Sequence, residues 1–153
     1  MWDAQGLIDR VLESLAAHNL GRPGAYRRWS KPWSGRAAEA TPNPYGCADA
    51  ANILYTVGRF PRDPLERAGW VRELRALQHA GTGMFQEETH HPIHTTAHCI
   101  AALELFDAGP SHAVSELDAP RDAAKMEAWL DALDWTGSPW NASHKGVGLY
   151  VAL

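Results

Sequence analysis

The stretch Ala48–Pro61 reads ADAANILYTVGRFP, and Ala97–Pro110 reads AHCIAALELFDAGP. At an offset of 49, Ala48 meets Ala97, Leu54 meets Leu103 and Pro61 meets Pro110, while most other apolar positions stay apolar. A third copy begins at His144, where HKGVGLYVAL lies over His94–Leu103, HTTAHCIAAL, at an offset of 50. Ahead of each copy stands a second amphipathic segment: LIDRVLESLAAH, WVRELRALQH and MEAWLDALDW. Such a period marks stacked two-helix units, because one helical hairpin cannot bury its apolar face alone. The pattern predicts a single all-α domain over 1–153, built of three antiparallel helical hairpins without a sheet.

The outer segments are expected at Asp3–His18, Pro64–His79 and Asp122–Asp134. The first carries Leu7, Ile8, Val11, Leu12 and Leu15 as one stripe at helical spacing. The second carries Trp70, Leu74 and Leu77, and the third Met126, Trp129, Leu130 and Leu133 as buried positions. The first inner helix is expected to start at Pro44, capped by Asn43, and to close at Gly58. The second opens at Pro92 and runs to about Phe106, where Gly109-Pro110 stops it. Residues 136–143 read as a turn before the last inner segment. The connection Gly21–Thr41, rich in Pro, Gly, Ser, Arg and Trp, reads as an ordered functional loop or a lid. The inner segments hold more Ala and other small residues than the outer ones, which suits close packing around an axis.

Composition narrows the function. The chain is 45% apolar and 21% charged, with a net charge of -4, so no broad footprint for nucleic acid is expected. No run of 18 apolar residues exists to span a membrane. The start MWDAQGLIDR shows no signal peptide, and the expected location is cytoplasmic. Cys47 and Cys99 fall inside helical copies and read as free buried thiols. Seven Trp and eight His are many for this length. They gather in the expected connections, at Trp29, Trp33, Trp135, Trp140, His90, His91 and His144, where large rings either line a ligand site or plug the top of the core.

Gln78-x4-Gly83-x-Phe85, followed by Thr95-Thr96-Ala97 and Ala101-Ala102-Leu103, resembles the repeat of the α/α-toroid superfamily. That group includes squalene-cyclase and prenyltransferase β-type barrels, and six-hairpin carbohydrate enzymes look similar at this level. Asp134–Trp140 is similar to a weaker copy of the same turn. The resemblance implies an (α/α) toroid. The chain carries neither the Asp-x-Asp-Asp acid motif of the cyclases nor the spaced Asp, Cys and His zinc ligands of protein prenyltransferases. Val151-Ala152-Leu153 ends in mid-pattern without a helix stop, so the expectation is an incomplete barrel, the N-terminal part of a larger toroid.

In such a toroid the inner-helix N-termini face a central cavity. Tyr45, His94 and His144 align in the repeat, each expected in the first turn of an inner helix. His and a perturbed Tyr supply proton donors and acceptors near neutrality, and first-turn amides with the helix dipole favour an anion. Arg27, Arg28, Lys31 and Lys145 add positive charge nearby. Asp49 aligns with His98 and Gly148 one turn deeper, where a carboxylate orients an imidazole or acts as base. Tyr45, His94, His144 and Asp49 are therefore the candidate catalytic residues. Trp33, Trp140, His98, His90, His91, Arg28 and Asn52 are the candidate substrate-binding residues. His94 and His98, four apart, share a helix face that a divalent metal would find chelating, with His90 or His91 and Glu87 or Glu88 completing the set. The favoured expectation is no metal and no cofactor. Asn141-Ala142-Ser143 matches a glycosylation sequon, read as accidental without a secretory signal.

The first functional reading is a carbohydrate-active enzyme of lyase or hydrolase type, its Trp residues stacking on sugar faces. A lyase acting on an acidic sugar fits best, because it needs a Tyr or His base and a cationic pocket. Two rivals are a terpenoid-cyclase or prenyltransferase-like protein with a dry aromatic cavity, and a non-catalytic helical scaffold. The expected partner is a saccharide or other small molecule. Apolar surface at Leu149, Tyr150 and Leu153 predicts self-association through the open C-terminal end.

Overall fold

A computed structural model describes residues 4–32, 34–118 and 121–152. Among them lie six α-helices: α1 (Gln5–Ala16), α2 (Pro44–Thr56), α3 (Pro64–Ala76), α4 (Pro92–Glu104), α5 (Ala123–Asp131) and α6 (Pro139–Ala152). A 3₁₀ turn spans Ser115–Leu117, and an isolated antiparallel bridge pairs Asn19 with Tyr26. The fold is all-α.

The helix starts follow the punctuation of the sequence. Asn43 accepts from the amides of Tyr45 and Gly46 at 2.9 and 3.1 Å, Asp63 from Glu66 at 2.9 Å and Asp122 from Lys125 at 3.1 Å. Each satisfies a first-turn donor that has no partner within its helix. Pro44, Pro64 and Pro92 follow caps at positions where a missing amide costs nothing. The end of α4 differs from expectation. The chain turns at Asp107, in the left-handed region at φ 58°, before it reaches Gly109.

The inner helices form a row. α4 packs against α2 and against α6, and α3 lies against both α2 and α4. α2 and α4 run parallel in the register of the repeat, since Tyr45 meets His94 and Asp49 meets His98, both 49 residues apart. One core unites Cys47, Trp70, Leu74, Phe85, Leu103 and Phe106. A second unites Met84, Ile93, Ile100, Val114, Leu117 and Leu149. Gln78 ties the connections to both. Its amide donates to the carbonyls of Gly83 and His112 at 2.7 Å each, and its oxygen accepts from Ser111 and His112 at 2.8 and 2.9 Å. A buried amide with all these partners holds its loops at no desolvation cost.

Three expectations need correction. Residues 136–143 are not all turn. Asp134 accepts from the Gly137 amide at 2.7 Å to close a short turn, and Pro139 then opens α6. Trp140 and His144 are consequently helical, and His144 lies more than one turn in from the start. In α5, Met126, Trp129 and Leu130 are half-buried, as is Leu133 beyond its end, and no residue of that helix is fully buried. At the far end of α6, Leu149 is buried in the second core, while Tyr150 is 84% exposed and Val147 exposed. Leu153 lies outside the described residues.

Candidate functional site

The repeat brings a phenol and three imidazoles, Tyr45, His94, His98 and His144, together on the inner-helix row, and the connection before α4 adds His90. Tyr45 Oη and His94 Nε2 are 3.0 Å apart. Four residues further along both helices, His98 Nε2 donates to Asp49 Oδ1 at 2.8 Å. The Tyr45 ring lies between His90, stacked at 4.1 Å and 9°, and His98 at 4.5 Å. His94 stacks on His144 at 4.4 Å and 11°, and His144 meets Trp140 at 4.6 Å.

Two glycines allow this assembly. A Cβ on Gly148 would stand 2.8 Å from Ile93 Cγ2 and 3.1 Å from the His94 amide. The third copy therefore carries no side chain where the other two carry Asp49 and His98, and α6 closes onto the start of α4. A Cβ on Gly46 would stand 2.8 to 2.9 Å from the Arg27 carbonyl and the Arg28 nitrogen. The 21–41 connection thus crosses directly over the first turn of α2.

That crossing sets Arg28. Its backbone amide donates to Glu39 Oε2 at 2.5 Å, and Glu39 Oε1 accepts from Asn43 at 2.9 Å, so one carboxylate joins the loop to the α2 cap. The Arg28 guanidinium sits 4.8 Å over the Tyr45 ring and 3.2 Å from Glu87 Oε2, and it also hydrogen-bonds Thr89. Glu87, 2% exposed, receives Thr89 Oγ1 at 2.8 Å and lies 2.7 Å from His90 Nδ1. Burial alone would push the Glu87 carboxyl up. The hydrogen bonds from Thr89 and His90 and the Arg28 charge outweigh it, leaving the group below the usual carboxylate value.

The electrostatics of the central pair follow from crowding. Burial and the neighbouring imidazoles His144, His90 and His98 push His94 below 6.5, toward the neutral form. Burial and the Asp49 charge push Tyr45 above 10, keeping it a phenol. The pair is thus a neutral imidazole against a protonated hydroxyl, and the phenol donates when Nε2 carries the lone pair. His94 Nδ1 is enclosed without a well-formed hydrogen bond, with the His144 backbone near it.

A cleft of about 370 Å³ is walled by Thr89, His90, His91, Trp140, Asn141, His144 and Lys145; Tyr45 and His94 do not line it and stand behind the His90 and His144 rings that stack on them. Trp140 is 73% exposed, its ring available at the rim. His91 has a second duty as the cap of α4, accepting from the Ile93 amide at 3.3 Å. Asn52 turns back onto its own helix, donating to the Ala48 carbonyl at 2.9 Å, and does not line the cleft. Trp33 lies outside the described residues. His94 and His98 direct their Nε2 atoms at Tyr45 and Asp49. Among the described residues no group of three His, Cys, Asp or Glu converges as a metal site requires.

Sequence reasoning missed Glu39, Thr89 and Asn141. Glu39 had a signal, being the one carboxylate within residues 21–41. No helix among the described residues is long and apolar enough to cross a membrane. Comparison with protein-family models, with curated proteins and with solved structures finds no match to this chain.

Proposed function

We propose that the chain carries a proton-transfer site for a saccharide, of lyase rather than hydrolase type, on a toroid-like row of inner helices. One observation carries the reading. A neutral imidazole base, His94, and a protonated phenol, Tyr45, stand 3.0 Å apart, stacked on the His144 and His90 rings that wall a cleft rimmed by an exposed indole. An elimination needs one group to take a proton and another to protonate the leaving oxygen. Glycoside hydrolysis in its commonest form needs two carboxylates flanking the bond, and among the described residues no carboxylate lines this cleft. Lys145 and the imidazoles suit an acidic sugar, and the exposed face of Trp140 suits stacking on a ring. The polar lining speaks against a dry terpenoid cavity. The two free, buried cysteines agree with a cytoplasmic location.

The test incubates the chain with polyuronates and with neutral glucans. Reducing ends report any cleavage, and ultraviolet absorbance of a new C=C bond reports elimination. Elimination on polyuronates, lost in both Tyr45→Phe and His94→Ala while helicity persists, is the expected result. Wild-type turnover by His94→Ala, or no cleavage of any polysaccharide, would sink the reading.

A further inference from the structure

A second cavity, of about 240 Å³, lies between α1 and α2 and is lined in part by Asp49. Its body is apolar, formed by Val11 and Leu15 of α1 with Ala50 and Ile53 of α2. Its polar lining is Asp49, Arg27, Arg28, His18 and Ser14; Arg28 is paired with Glu87 and both His18 ring nitrogens are engaged by the Arg27 carbonyl and Ser30, which leaves Asp49 and Arg27 as the charged groups to meet a ligand. The α1 stripe is left incompletely covered. No residue of that helix is fully buried, although Leu15 touches the first core. An amphipathic helix gains most of its stability from burying its stripe, so this face lacks apolar contact that a ligand can supply.

The polar end selects the ligand. Asp49 gives Oδ1 to His98, yet its side chain remains 48% exposed, so the carboxylate still has accepting capacity toward the cavity. Arg27, which lines the same end, has its Nε–H buried without a hydrogen-bond partner. An ammonium head would satisfy Asp49 and meet Arg27 as a like charge, whereas a carboxylate head would do the reverse. A hydroxyl donates and accepts at once and carries no charge. An apolar cavity of roughly 150 Å³ takes a benzene, so this one has room for a ring with a short arm. We propose that the α1–α2 cavity is a binding site for a small neutral alcohol with an apolar body. Its hydroxyl sits at Asp49 and Arg27, and Asp49 links it to His98.

The test is an NMR titration of the whole chain with 2-phenylethanol, alongside 2-phenylethylamine and phenylacetate. The alcohol is expected to bind saturably, and each charged analogue roughly three- to tenfold more weakly. Ile53→Trp and, separately, Val11→Trp fill the cavity from opposite walls and are expected to abolish binding with circular dichroism unchanged. If one of them unfolds, the other decides. Binding is expected to shift the His98 ring resonances in the wild type and not in Asp49→Asn. Absence of saturable binding, equal affinity for all three heads, or binding that survives in a folded cavity-filling variant would overturn the proposal.

Discussion

Gly46→Ala tests the placement of Arg28. In the first turn of α2 an alanine gains helix propensity over glycine, worth about 1 kcal/mol. Its Cβ would lie 2.8 Å from the Arg27 carbonyl carbon and 2.9 Å from both the Arg27 oxygen and the Arg28 nitrogen. All three are backbone atoms, so no rotamer relieves the contact. The loop must retreat by more than roughly half an ångström to reach ordinary carbon contact. Overpacking of this kind costs about 1–3 kcal/mol, so after the propensity gain the expected net loss is about 0–2 kcal/mol, or up to about 4–8 °C in melting temperature for a chain of this size. The retreat also lengthens the Arg28 amide bond to Glu39 and draws the guanidinium off Tyr45 and Glu87. Turnover or ligand binding should therefore fall further than the melting temperature alone explains. Gly109→Ala is the control, because a Cβ there meets nothing within 4 Å. Differential scanning calorimetry with a turnover assay reads both. A Gly46→Ala chain as stable as the control variant and fully active would refute the argument.

Three further outcomes are expected. Because His94 is held below 6.5 and Tyr45 above 10, the acid limb of a kcat/KM profile should lie below pH 6.5 and the basic limb above pH 10; an acid limb above pH 7 contradicts this. Glu87 is ionised more readily folded than unfolded, so its contribution is present above about pH 4.5 and is lost as pH falls through its depressed value. Glu87→Gln, which leaves Arg28 short of a counter-charge, should cost about 1–3 kcal/mol at neutral pH by urea titration and flatten the acid limb of stability. The Cys47 thiol is pushed up to about 12 by burial, and burial raises Cys99 as well. Neither should react with a disulfide reagent in the native chain, and both should react in denaturant.

The helical architecture was legible because it rests on periodicity and punctuation. The Asn43-Pro44 and Pro92 starts, the Trp70 and Leu74 stripe and the 49-residue offset all appear in the sequence as they do in the fold. The offset also placed Tyr45 against His94 and Asp49 against His98, since parallel neighbours in one register bring equal repeat positions together. The start of α6 was misread because Gly137, Pro139 and Asn141 look like a turn. Ser138-Pro139 has the same form as Asn43-Pro44, and weighing it would have corrected the boundary. The roles of Glu39 and Gly46 are long-range. They depend on which loop crosses which helix, and no local pattern carries that.

The pairing of Tyr45 with His94, and of Asp49 with His98, has a consequence for how such a site is acquired. Each partner comes from a different copy of the sequence repeat, so a lone copy holds half of every pair. The pairs have a copy-number threshold of two. The third copy, with Gly148 where the others carry an acid and an imidazole, adds a wall and the stacked ring of His144 rather than a further pair. Units that look interchangeable as architecture are therefore not interchangeable as parts: exchanging the second for the third would keep an imidazole opposite Tyr45, because His144 aligns with His94, but would delete the Asp49–His98 pair, because Gly148 aligns with His98.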